Sequence, residues 1–102
     1  MAYADAIHAL ADPTRRTVLE ELRRGPTPVG ELAERLPVSR PAVSQHLRVL
    51  KAAGLVSERR VGTRRLYAVH GQGLSELREY LEAFWQDALG SFKTRMEEEG
   101  ER

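Results

Sequence analysis

Seven cationic side chains, Arg40, Arg48, Lys51, Arg59, Arg60, Arg64 and Arg65, fall within residues 37–70 against a single carboxylate, Glu58. Guanidinium forks match phosphates and base edges, and an ammonium acts as a point charge, so this set suits a polyanion. Ser39, Pro41, Ser44 and Gln45 are interleaved with the first of these cations. A glutamine pairs bidentately with adenine and an arginine with guanine, each worth ~1–3 kcal/mol of discrimination, so Gln45 and Arg40 are the candidate base readers. Ser44 suits phosphate or either base, while Arg48 and Lys51, further along, suit phosphate. Arg59, Arg60, Arg64 and Arg65 surround Gly62-Thr63, a short tip that would carry them to a neighbouring backbone or minor groove.

The 102 residues carry a formal net charge of +1, which conceals a division along the chain. Residues 1–70 hold 12 Lys and Arg against 7 Asp and Glu, and residues 71–102 hold 4 against 8. Such sorting suggests an oriented binding surface, since a uniformly basic protein needs none.

Other chemistries find little support. With no cysteine there is no disulfide, thiolate metal site or thiol switch. No Ser/His/Asp set and no phosphate-cradling glycine loop is present, so the chain is not expected to be an enzyme. His8 and Asp12 have i, i+4 spacing but no third ligand, and no metal or cofactor is expected. His46 beside Leu47 reads as a packed or hydrogen-bonding residue, and His70 as a solvated loop residue. Arg15 and Arg16 suit either a phosphate or a local ion pair with Glu20. No apolar run reaches the ~20 residues of a membrane span and no signal-peptide layout opens the chain, so a cytoplasmic protein is expected.

The elements that must position these groups follow from punctuation and period. A short helix over about Tyr3 to Leu10 turns Ile7 and Leu10 inward. Asp12-Pro13 reads as an N-cap followed by proline in the first turn, starting a helix with Val18, Leu19 and Leu22 on one face and ending at Gly25-Pro26. Val29, Leu32, Ala33 and Leu36 follow i, i+3, i+4, i+7 and predict a compact helix over Pro28 to Leu36. Ser39 caps the next helix, whose apolar face is Val43, Leu47 and Leu50 and which Gly54 stops. At ~100° per residue that face leaves Pro41, Gln45 and Arg48 nearly opposite. Leu55 to Val61 and Arg64 to Val69 read as two strands joined at Gly62-Thr63. One long helix from Gln72 to Met96 carries Leu74, Leu77, Leu81, Phe84, Trp85, Ala88, Leu89, Phe92 and Met96. Trp85 and Phe92, at helical spacing, read as core sooner than as a ligand pocket. At ~1.5 Å per residue this helix outruns the globule before it, and its apolar stripe calls for a partner. Residues 1–96 are expected to form one domain, and residues 97–102 an acidic tail that frays.

These segments together resemble the ArsR/SmtB-type winged helix-turn-helix repressors over residues 5 to about 92. The resemblance rests on Leu10-Ala11-Asp12-Pro13-Thr14-Arg15-Arg16 with Val18-Leu19 and Leu22, on Glu31-Leu32-Ala33, and on Val43-Ser44-Gln45-His46-Leu47-Arg48-Val49-Leu50 running into Ala53-Gly54-Leu55-Val56. Gly62, Arg64-Arg65 and Tyr67 match the wing. It implies a mainly α fold with a small β-hairpin, in the order α-α-α-α-β-β-α. It further implies a homodimer through the first and last helices, repression by binding a pseudo-palindromic double-stranded operator, and release when a small-molecule signal binds. The corresponding interface residues are Tyr3, Ile7, Leu77, Leu81, Phe84, Trp85, Ala88 and Phe92. The chain departs from the metal-sensing patterns, because the third-helix segment has no thiols and the last helix no histidine; it looks instead like a non-metal branch whose members often repress their own operons. The competing reading is a winged-helix module that docks another protein and has lost specific DNA readout.

Overall fold

The computed structural model describes residues 2–100. Two short helices open the chain, α1 (Ala2–Leu10) and α2 (Pro13–Glu21). Between them Asp12 caps α2, its carboxylate accepting from Arg15 N–H at 3.0 Å, with Pro13 in the first turn. The α-helix stops at Glu21, three residues before the expected end, and a 3₁₀ turn over Leu22–Arg24 completes the segment. Gly25 then adopts φ 132°, a value that suits glycine.

Strand β1 (Thr27–Pro28), absent from the pattern expected of the sequence, joins the sheet at one edge. It is two residues long, preceded by Pro26 and ending in Pro28, without a period to read, and Pro28 is tolerated because the strand lies at the edge. Helices α3 (Val29–Arg35) and α4 (Arg40–Ala52) follow, then the hairpin β2 (Val56–Val61) and β3 (Arg64–Val69). The order β1-β3-β2 is antiparallel throughout, with Thr27 opposite Tyr67 and Arg60 opposite Arg65. The main elements of the expected winged helix-turn-helix are therefore present, with one added strand.

Ser39 caps α4, accepting from Ala42 N–H at 3.2 Å. At the other end Gly54, with φ 73°, donates to Lys51 O and Leu55 donates to Leu50 O, both at 3.0 Å. This paired C-terminal motif reverses the chain into β2 and orients the hairpin against α4. One hydrophobic core collects Val18, Leu22, Leu32, Val43, Leu47, Leu50 and Leu55, all at most 2% exposed. Tyr67 and Val69 pack on it from the hairpin.

Helix α5 (Gly71–Gly100) begins by docking on the turn after α4, where Gly73 N–H donates to Gly54 O at 2.9 Å. A Cβ on Gly73 would lie 2.6 Å from Ala53 O, so this contact requires glycine. The helix runs four residues beyond the expected end at Met96, and Glu97–Gly100 belong to it; Glu101 and Arg102 of the expected tail lie outside the described residues. Gly90 does not interrupt it. Leu74 and Leu77 pack on the core and Tyr3 of α1 stacks on Tyr80, ring centroids 4.4 Å apart and 6° from parallel. Beyond that the helix leaves the globule, giving dimensions of 69 × 25 × 22 Å.

Candidate nucleic-acid interface

Helix α4 sorts its side chains sharply. Val43, Leu47 and Leu50 are 0–1% exposed, whereas Arg40, Pro41, Gln45 and Arg48 all lie on the solvent side and Ser44 at its border. The core fixes this orientation: turning α4 to hide Gln45 would expose three fully buried aliphatic side chains, each worth about 1.5–3 kcal/mol of burial. Ser39 and Arg40 stand at the helix N-terminus, where the helix dipole favours anions. Arg48 donates from Nη1 to Gln45 Oε1 at 3.1 Å, so the two are prepositioned side by side.

The hairpin stands beside this face. Gly62 takes φ 63° at the tip, and Arg59, Arg60, Val61, Thr63, Arg64 and Arg65 are all exposed. A groove between the wing and α4 is walled by Arg40 and Ser44 on one side and by Thr63, Arg64 and Arg65 on the other, with Tyr67 at its base. The structure thus brings Arg40 of α4 and Arg64 and Arg65 of the wing, three of the seven predicted cations, to one groove, while Arg48, Lys51, Arg59 and Arg60 do not line it.

That surface holds more acid than the count within residues 37–70 suggested. Glu58 faces Lys51 at 3.8 Å and Arg65 at 3.7 Å. Glu31, on α3, holds Arg64 at 2.9 Å across 33 residues of sequence. Among the described residues Arg40, Arg48, Arg59 and Arg60 have no acidic partner, so they are the cations of this set with their charge free in the unbound protein. Glu31 had no local sequence signal, since the pairing is made by tertiary structure. Desolvation, and then a hydrogen bond with Glu58, raises the Tyr67 phenol above its ordinary value.

Arg15 and Arg16 do not make the ion pair with Glu20 that their spacing allowed. Their guanidinium groups donate to the last carbonyls of α1, Arg15 to Ala9 O at 3.1 Å and Arg16 to Leu10 O at 2.9 Å, rather than pairing with Glu20. The exposed carbonyls at a helix C-terminus attract cations, and that wins over an i+4 ion pair in water. His46 is half-buried, with Nδ1 enclosed and without a partner among the described residues. His8 and His70 are exposed. Among the described residues no group of three or more His, Cys, Asp or Glu could hold a metal ion, and no helix is long and apolar enough to cross a membrane.

The second predicted surface is a stripe on α5. Leu81, Phe84, Trp85 and Phe92 are 51–65% exposed and Ala88 is exposed as well. The core reading of Trp85 and Phe92 is therefore wrong within one chain: the helix has left the globule by that point, so nothing in the protomer covers them. Leu89 and Met96 extend the stripe, and Ile7 of α1, expected to turn inward, is instead 44% exposed and adds to the exposed apolar surface. Tyr3 and Leu77, expected with this set, are partly committed inside the protomer, Tyr3 against Tyr80 and Leu77 against the core.

Residues 12–58 match the bacterial regulatory protein arsR family. The transcriptional regulator Rv2034 of Mycobacterium tuberculosis is 54% identical over 96 residues, covering 94% of this chain and 90% of that protein. The transcriptional repressor SmtB of the same organism is 40% identical over 74% of this chain, which spans 56% of SmtB. Among solved structures, the homodimeric winged helix-turn-helix DNA-binding domain of Mb0332 from Mycobacterium bovis superposes with a TM-score of 0.68 at 29% identity, covering 84% of this chain and 80% of that one.

Proposed function

Because this chain belongs to the arsR family of bacterial regulatory proteins and is a DNA-binding transcriptional repressor rather than an enzyme, we propose that it acts as a homodimer on a pseudo-palindromic operator. The observation that carries this reading is the sorting of α4, with its aliphatic face sealed in the core and Arg40, Gln45 and Arg48 presented beside a basic wing. In it, the N-terminal half of α4 enters the major groove. Arg40 and Gln45 read base edges, with Ser39, Pro41 and Ser44 against the neighbouring backbone, and Arg48 and Lys51 hold phosphates. Arg59, Arg60, Thr63, Arg64 and Arg65 reach the adjacent backbone or minor groove. The exposed stripe of Ile7, Leu81, Phe84, Trp85, Ala88 and Phe92 meets its copy, and two-fold symmetry sets the half-sites one or two helical turns apart. Residues 1–96 form the unit that binds and dimerises. Repression of its own operon, release by a small-molecule signal and residence at the cytoplasmic nucleoid complete the proposal.

Selection from random duplex DNA with the purified protein tests it. An inverted repeat is expected, with half-site centres about 34 Å or twice that apart along the axis, unchanged when zinc is added. Salt-sensitive binding without any motif would transfer the reading to a module that docks another protein.

A further inference from the structure

We propose that Glu31 tunes DNA affinity, as an internal anion that occupies Arg64 until a correctly seated duplex displaces it. The inference rests on the proposed placement of the duplex against α4 and the wing. Glu31 Oε1 lies 2.9 Å from Arg64 Nη2, which ties the first residue of β3 to α3. Both side chains are exposed, 47% and 60%, so the pair is held in water and is weak enough for a phosphate to break. Its position gives it the role. The groove that contains it is walled by Arg40 and Ser44 from α4 and by Thr63 and Arg64 from the wing, and Glu31 and Glu34 lie in the same wall as α3. A phosphate backbone laid along the groove meets Arg64 together with two carboxylates.

A duplex held loosely, with α4 outside the major groove, offers phosphates that do not compete with a carboxylate already at 2.9 Å. A duplex seated on α4 brings its backbone into the groove, where a phosphate takes Arg64 and Glu31 is released to solvent. Removing the carboxylate therefore frees Arg64 to hold any backbone, and the operator, which no longer has to break the pair, gains at least as much as arbitrary DNA. Arg35 does not confuse the outcome, because it faces Glu21 at 4.0 Å as well as Glu31 at 3.7 Å and keeps an acidic neighbour. Glu34 lines the same groove without a cation on it among the described residues, so its neutralisation reports the general change in potential alone.

The test is a cycle of Glu31→Gln, Arg64→Ala and the double variant in the full chain, with Glu34→Gln as the charge control. Affinity is measured against the selected operator and a scrambled duplex over a range of salt. Glu31→Gln is expected to tighten scrambled DNA by up to about eightfold at 0.1 M salt relative to 1 M, the value of one released counter-ion, and to steepen that salt slope by ~0.9. The operator should gain at least as much, and Glu34→Gln should gain less on both. Arg64→Ala should weaken scrambled DNA markedly in the Glu31→Gln background and little in the original chain. Equal effects of Arg64→Ala in both backgrounds, or weaker scrambled binding by Glu31→Gln, would overturn the inference. If Arg64→Ala changed neither DNA in either background, the placement of the duplex against the wing would itself be wrong.

Discussion

Helices α4 and α5 both carry an apolar stripe at helical spacing, yet the fold treats them oppositely. The stripe of α4 is sealed, with Val43 and Leu50 at 0% and Leu47 at 1% exposure, so its function must lie on the other, polar face. On α5 the stripe stays open from Leu81 onward, with Phe84 at 65% and Trp85 at 59% exposure. A contiguous aromatic face in water marks an interaction surface, whereas a polar face over a closed core is what an amphipathic surface helix turns to solvent. The same period in sequence thus serves two functions, and what separates them is whether the chain itself supplies a cover.

The largest break in that contrast comes from making the α5 face polar. Phe84→Ser with Trp85→Ser should yield a monomer in sedimentation and weaken operator binding by about 10²-fold to 10⁴-fold, the loss expected when two half-sites are no longer linked. Retention of a dimer would place the interface elsewhere. In that monomeric background the two stripes can be compared directly. Leu47→Ala should cost about 2–5 kcal/mol in urea unfolding through the cavity it leaves, while Leu89→Ala should fall within about 0.5 kcal/mol. Comparable costs would mean that the distal helix is covered within one chain.

Smaller effects sharpen the polar side. Gln45→Ala should relax preference at one base pair per half-site by about 1–3 kcal/mol and leave stability unchanged, read by competition among single-base operator variants. The smallest concerns the cap of α2. The Arg15 N–H that Asp12 accepts holds its carboxyl below the ordinary 3.8. A carboxyl depressed on folding adds stability above its unfolded value, and that contribution disappears as pH falls through the lower folded value. Asp12→Asn keeps an acceptor but has nothing to titrate, so its acid unfolding curve should be flatter below about pH 4 than that of the original chain.

Much of this architecture was legible from local chemistry. Asp12-Pro13, Ser39 and Gly54 mark helix ends because caps and left-handed turns are satisfied within a few residues, and the structure places helix ends beside all three. Gly62-Thr63 marks the hairpin tip for the same reason. Strand β1 was not legible, since two residues, one of them proline, have no period, and the end of α5 was misplaced because a run of glutamates carries no stop signal.

By itself the sequence determined the order of the main helices and the two hairpin strands, the polar face of α4 and the concentration of cations around it, because each depends on neighbours a few residues away or on the turn of a single glycine. Tertiary structure decided which charges are free. Glu31 reaches Arg64 from 33 residues away, Glu58 takes Lys51 and Arg65, and the carbonyls of α1 take Arg15 and Arg16. It also decided that Gly73 must be a glycine and that Trp85 stands in water, because a close approach and a missing cover are properties of the packed chain, and periodicity records neither.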